Sequence, residues 1–114
     1  MAAAGRRMED RVYKIFTEDE WNRFQATGQF SGSADDIRDG FIHLSTKDQV
    51  ARVIKKFFAG KGRLHVAEFS AKDFIRRLSW EPSASGDVYP HLYDCELSTA
   101  DVSGSNFIAE PDDD

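Results

Sequence analysis

DGFIHLST, residues 39–46, is a short apolar run that holds one of only three histidines in the chain. On a strand, Ile42 and Leu44 point to one face, while Phe41, His43 and Ser45 point to the other. The first face suits a core. The second sets a phenyl ring, an imidazole and a hydroxyl side by side, as in a ligand pocket or at a polar edge of the core. STKD, residues 45–48, follows at once as a helix start, with Asp48 at the third helical position. Val50, Val53, Ile54 and Phe57 then recur as one helical stripe that Gly60 closes. A strand therefore hands over to a helix between His43 and Thr46. The free amides of that helix beside the imidazole suit a phosphate or carboxylate, unless Ser45 does no more than cap.

Upstream, VYKIF (residues 12–16) has the composition of a first strand. TEDE, residues 17–20, has the Thr-x-x-Glu spacing in which a hydroxyl and a carboxylate satisfy free amides at a helix start. Trp21 and Phe24 share a face of that helix, and Gly28 suits its left-handed end. GQFSGSADDIRDG, residues 28–40, reads as a polar loop entering the candidate pocket. Downstream, LHVAEF (64–69) is a third strand, and SAKDFIRRL (70–78) is a capped short helix or turn. WEP (80–82) leads into the turn SASGD. VYPHLYDCEL (88–97) reads as one or two strands, with Pro90 forcing an edge, a bulge or a strand start, and SNFIAE (105–110) is a last strand. Short helices after early strands, with strands clustered at the end, predict an α+β domain around a bent, mainly antiparallel split sheet with two or three short helices.

The 114 residues and 40% hydrophobic content fit one domain over residues 11–109. Residues 1–10 lack an apolar period and 110–114 are acidic, so mobile tails are expected at both ends. A formal net charge of -5 argues against general nucleic-acid binding, which needs a concentrated basic face. No apolar run approaches the length of a membrane span, and the start MAAAGRR is too short for a secretory core, so a cytoplasmic monomer without membrane contact is expected. The lone Cys95 agrees with a reducing compartment. Any protein partner is left open.

DGFIHLST followed by Gln49, the pair Trp80 and Glu81, and YPHLYD at residues 89–94 together resemble the signature of the uncharacterised bacterial domain-of-unknown-function family 952. VYKI followed by Trp21 in a capped helix agrees, and the resemblance spans about residues 12–108. It implies a fold similar to the ADP-ribosyltransferase class, which binds nicotinamide dinucleotide (NAD) or a related nucleotide in a cleft of a split sheet. It also implies roles: His43 holding a ribose, Tyr89 or Tyr93 supplying an aromatic, and Glu81, less readily Glu96, supplying an acid. NAD enters as substrate, with no resident cofactor expected. The chain departs from the full pattern of that class, since no plain glutamate motif follows on a strand.

The expected site therefore has His43, Glu81 and His91 as catalytic candidates and Phe41, Ser45, Thr46, Tyr89 and Tyr93 as ligand-binding ones. His91 shares a face with Tyr93 and Cys95 if the segment is extended, and so converges on His43 or merely tops an edge strand. His65 has no companion motif and reads as structural. Trp80 reads as a core anchor, and Glu81 as exposed or paired with an arginine such as Arg38. One alternative is an inactive ligand- or protein-interaction module on the same scaffold. Another is a metal-dependent hydrolase using His43, His91, Cys95 and Asp94, although the paired short spacings of such sites are missing and no metal is expected. A Cys95 nucleophile activated by His91 lacks any sign of an oxyanion hole, and GKGR at residues 60–63 reads as a turn, not a phosphate loop.

Overall fold

A computed structural model describes residues 10–108. Among the described residues, eight strands, three α-helices and two short 3-10 turns make an α+β domain in which every strand pair is antiparallel. Strand β1 (Arg11–Thr17) and β8 (Val102–Ile108) flank β4 (Leu64–Ser70). Strand β6 (Val88–Leu92) lies between β3 (Ile42–His43) and β5 (Leu78–Pro82), and β2 (Gln29–Phe30) pairs β7 (Leu97–Ser98). Helix α1 is Glu18–Thr27, α2 is Ala34–Asp39 and α3 is Lys47–Phe57.

Alternation along β1 divides the core. Val12 and Phe16 join one apolar cluster with Phe24 of α1 and Phe69. Ile15 joins another with Leu64, Val66 and Ile54 of α3. The central residue of the first row is Lys14, only 5% exposed. Phe16 stacks on Phe24 with ring centroids 5.1 Å apart, a contact that fixes α1 on its sheet.

Pro90 accounts for the split between the sheets. Its carbonyl accepts from Leu44 N–H at 3.1 Å, and in an antiparallel ladder the N and C=O of one residue face the same neighbour. The proline nitrogen therefore faces Leu44 with no hydrogen to give, and the β3–β6 ladder stops there. The chain crosses to the other sheet one residue later, where Ser45 and Tyr13 exchange backbone hydrogen bonds of 2.8 and 2.9 Å.

Several boundaries differ from the sequence expectation. Residues 28–40 are not a loop: they form β2 and α2, because Ser33 and Asp36 make a reciprocal capping box and Gly40 closes the helix at φ 88°. Ser45 is held extended by its bridge to Tyr13, so Thr46 takes the N-cap of α3 and Gln49 replaces Asp48 as the reciprocal cap, its Oε1 accepting from Thr46 N–H at 3.0 Å. The same helix stops at Phe57, before Gly60, and Phe57 is 59% exposed, outside the stripe its spacing predicted. WEP lies inside β5. Pro90 stands in the middle strand of its sheet, not at an edge. Strand β8 begins at Val102, earlier than residue 105. The two expected tails fall almost wholly outside the described residues.

Candidate functional site

His43 and His91 are direct cross-strand partners in the β3–β6 ladder, and their ring centroids lie 5.7 Å apart. Phe41 packs against both, stacked on His91 at 4.0 Å and tilted against His43 at 4.5 Å. These rings line a cavity of about 460 Å³ with Ser45, Tyr89 and Lys56. Its apolar wall comes from Val53, Phe57 and Phe58 of α3 and its end. Such a volume, mostly apolar with a few convergent polar groups, is that of a small-molecule site.

Each imidazole is anchored by a carboxylate. Nδ1 of His43 lies 2.6 Å from Asp36 Oδ1, and the backbone N–H of His43 donates to the same oxygen at 3.0 Å. Asp36 Oδ2 accepts from Lys14 Nζ at 2.9 Å and from Ser33 N–H at 2.9 Å. Lys14 also donates to the His43 carbonyl at 3.2 Å. Burial alone would raise the Asp36 carboxyl, but the His43 hydrogen bond and the Lys14 charge outweigh it and hold the group well below the usual carboxylate range. One carboxylate thus ties together β1, α2 and β3 and fixes the orientation of the His43 ring.

On the other strand, Nδ1 of His91 lies 2.6 Å from Glu81 Oε1, which also accepts from Tyr93 O–H at 2.8 Å. Ser79 Oγ donates to Glu81 Oε2 at 3.1 Å. The His91 and Tyr93 hydrogen bonds lower the Glu81 pKa, and the bond to Glu81 raises that of the Tyr93 phenol. Glu81 and Tyr93 stand behind His91 and do not line the cavity. Thr46 caps α3 and does not line it either.

His43, His91, Phe41, Ser45 and Tyr89 are therefore brought together around one cavity, with Glu81 reaching it through His91. Arg38 pairs with Asp35 and Asp39, not with Glu81. Asp94 turns the chain at φ 51°, so Cys95 leaves the face of His91. Asp94 and Cys95 line a separate depression with Gln29 and Ser31. Among the described residues no group of three or more His, Cys, Asp or Glu could hold a metal ion, so the His43, His91, Cys95 and Asp94 set does not assemble. Burial also raises the Cys95 thiol, the reverse of what a nucleophile needs. His65 stacks on Trp21 at 4.9 Å, away from this cavity, and burial lowers its pKa. Trp80 packs against the core as expected.

Three site residues escaped the sequence reading. Lys14 had a signal, since it occupies the apolar row of β1 between Val12 and Phe16. Asp36 had one in the Ser33-x-x-Asp36 capping spacing. Asp39, whose carboxylate lies 3.1 Å from His43 Nε2, had none.

The model of the family described as "Protein of unknown function (DUF952)" matches residues 15–105. The crystal structure of protein CC0527 from Caulobacter crescentus is similar to this chain at a TM-score of 0.79 and 37% identity, covering 85% of this chain and 84% of that one. The solution NMR structure of CC0527 gives a TM-score of 0.75 at 37% identity, covering 86% and 84%. No curated protein matches. Among the described residues no helix is long and apolar enough to cross a membrane.

Proposed function

The chain belongs to the DUF952 family of proteins of unknown function, and we propose that its cavity binds a nucleotide of the NAD or ADP-ribose class. The observation that carries this reading is the cluster of Phe41, His43 and His91, two carboxylate-anchored imidazoles and a stacked phenyl ring at the wall of a cavity of about 460 Å³. The aromatic wall of Phe41, Phe57 and Phe58 offers faces to a base or nicotinamide ring, and His43 offers hydrogen bonds to ribose hydroxyls. Anchoring both rings at Nδ1 leaves Nε2 as the working nitrogen of His91, and as that of His43 once Asp39 gives it up. In a transfer reaction at the ribose, the bond from the anomeric carbon to nicotinamide breaks as one to an acceptor hydroxyl forms, nicotinamide leaves, and His91 backed by Glu81 takes the hydroxyl proton. The fold resemblance to the ADP-ribosyltransferase class belongs to this reading. The free Cys95 suits a reducing compartment, so we place the protein in the cytoplasm.

NMR titration of the labelled chain with NAD and with ADP-ribose tests the proposal. Saturable shifts at His43 and His91 but not His65, lost in a folded His43→Ala variant, support it. Unmoved signals at millimolar ligand sink it. Release of nicotinamide from NAD distinguishes turnover from the second reading, a ligand-responsive module without catalysis. That second reading is favoured by the engagement of His43 Nε2 with Asp39.

A further inference from the structure

Asp39 sits in an unusual place for a carboxylate. It is the last residue of α2, where the carbonyl end of a helix disfavours negative charge. Its Oδ1 accepts from Arg38 Nε at 2.9 Å and its Oδ2 from Arg38 Nη2 at 3.2 Å. The same Oδ2 lies 3.1 Å from His43 Nε2. A guanidinium fork and an imidazole thus converge on one carboxylate, and all three residues line the cavity. Fork geometry of this kind fits a carboxylate or a phosphate equally well.

His43 shows a matching asymmetry with His91. With Asp36 at Nδ1 and Asp39 at Nε2, the His43 ring donates at both nitrogens only when each carries a hydrogen. His91 has a carboxylate at Nδ1 alone among the described residues. Arg38 also donates through Nη1 to Asp35 Oδ1 at 3.0 Å, which leaves its Nε–Nη2 edge and His43 Nε2 to Asp39. Asp39 is anchored there by little else: its side chain is 33% exposed, and Gly40 next to it has open space around its Cα.

We infer that Asp39 is an internal occupant of an anion seat formed by Arg38 and His43, and that a ligand phosphate replaces its carboxylate there. This rests on the nucleotide reading of the cavity and deepens it, since it says which end of the ligand meets which wall. A phosphate brings more charge and more acceptor oxygens than the carboxylate it displaces. The tethered carboxylate competes with it, lowering affinity for phosphate-bearing ligands and excluding weaker anions.

The test compares the wild-type chain, Asp39→Asn and Arg38→Gln by NMR titration with adenosine, 5′-AMP and inorganic pyrophosphate, after each variant's amide spectrum has shown a native fold. The seat predicts that Asp39→Asn raises the ratio of AMP to adenosine affinity by about threefold to fivefold, the range of an exposed ion pair, and that Arg38→Gln brings the ratio close to one. An unchanged or lower ratio in Asp39→Asn, with adenosine still bound, overturns the seat and leaves the nucleotide reading standing. Pyrophosphate has no base to place and so tests the seat alone. Saturable shifts at Arg38 and His43 that strengthen in Asp39→Asn support it even where adenosine and AMP do not bind, an outcome that would remove the nucleotide reading instead. No pyrophosphate shift in either protein overturns the seat.

Discussion

The two imidazole–carboxylate pairs share a 2.6 Å contact and differ in nearly everything around it. Asp36 is 2% exposed and shares its charge with the buried Lys14, while the Glu81 side chain is 37% exposed and is held by a phenol and a serine hydroxyl. Two opposite charges inside a core are costly to part, because whichever remains is stranded without water or partner. A half-exposed carboxylate loses its partner into solvent at little cost. The same chemical pair is thus a structural hub on one strand and an adjustable support on the next.

The largest effect expected from this contrast is on stability. Asp36→Asn leaves Lys14 buried without its counter-charge and should lower the unfolding free energy by about 3 kcal/mol, read from denaturant midpoints. A loss no greater than that of an exposed substitution would mean that the hub is not closed. Lys14→Met combined with Asp36→Asn should recover part of the loss, since it removes the stranded charge.

Acid comes next. Asp36 ionises more readily in the folded protein than in the unfolded chain, so its contribution is fully present above about pH 4 and is lost as the pH falls through and below that range. Thermal unfolding midpoints of the wild type should fall more steeply below pH 4 than those of Asp36→Asn. Parallel curves would show that other carboxylates set the acid limit.

The smallest effect on stability belongs to Glu81→Gln, whose unfolding midpoint should stay near that of the wild type. What changes is His91: Gln offers either an acceptor or a donor to Nδ1, the ring loses its fixed orientation, and the NMR shift of His91 on titration with ADP-ribose should shrink. If Glu81→Gln destabilises the protein as much as Asp36→Asn, the distinction between the two pairs fails.

Local chemistry was legible along the chain to different depths. Thr17 and Glu20 stand three apart and cap the same helix, with Gly28 closing it at φ 82°, as their spacing requires. The Ser33 and Asp36 box has the same form and the same sequence signal, yet the polarity of residues 28–40 reads as loop, because a six-residue helix carries too few apolar positions to show a period. His43 stood out by its apolar neighbours and by the resemblance of its motif to a family. The convergence of His91 on it was one of two open readings.

What the sequence by itself determined is what neighbouring residues settle, namely the Thr17 and Glu20 capping box, the Gly28 end of α1 and the alternation on strands, together with the family to which the chain belongs. Tertiary structure alone decided that Lys14, 22 positions before Asp36, neutralises it, that His91 faces His43 across a ladder, and that Cys95 turns away. The physical reason is register. A cap needs only neighbours, but which side chains meet across strands depends on where the ladder starts and stops. Here it stops at Pro90, whose missing N–H sends the chain across to Tyr13.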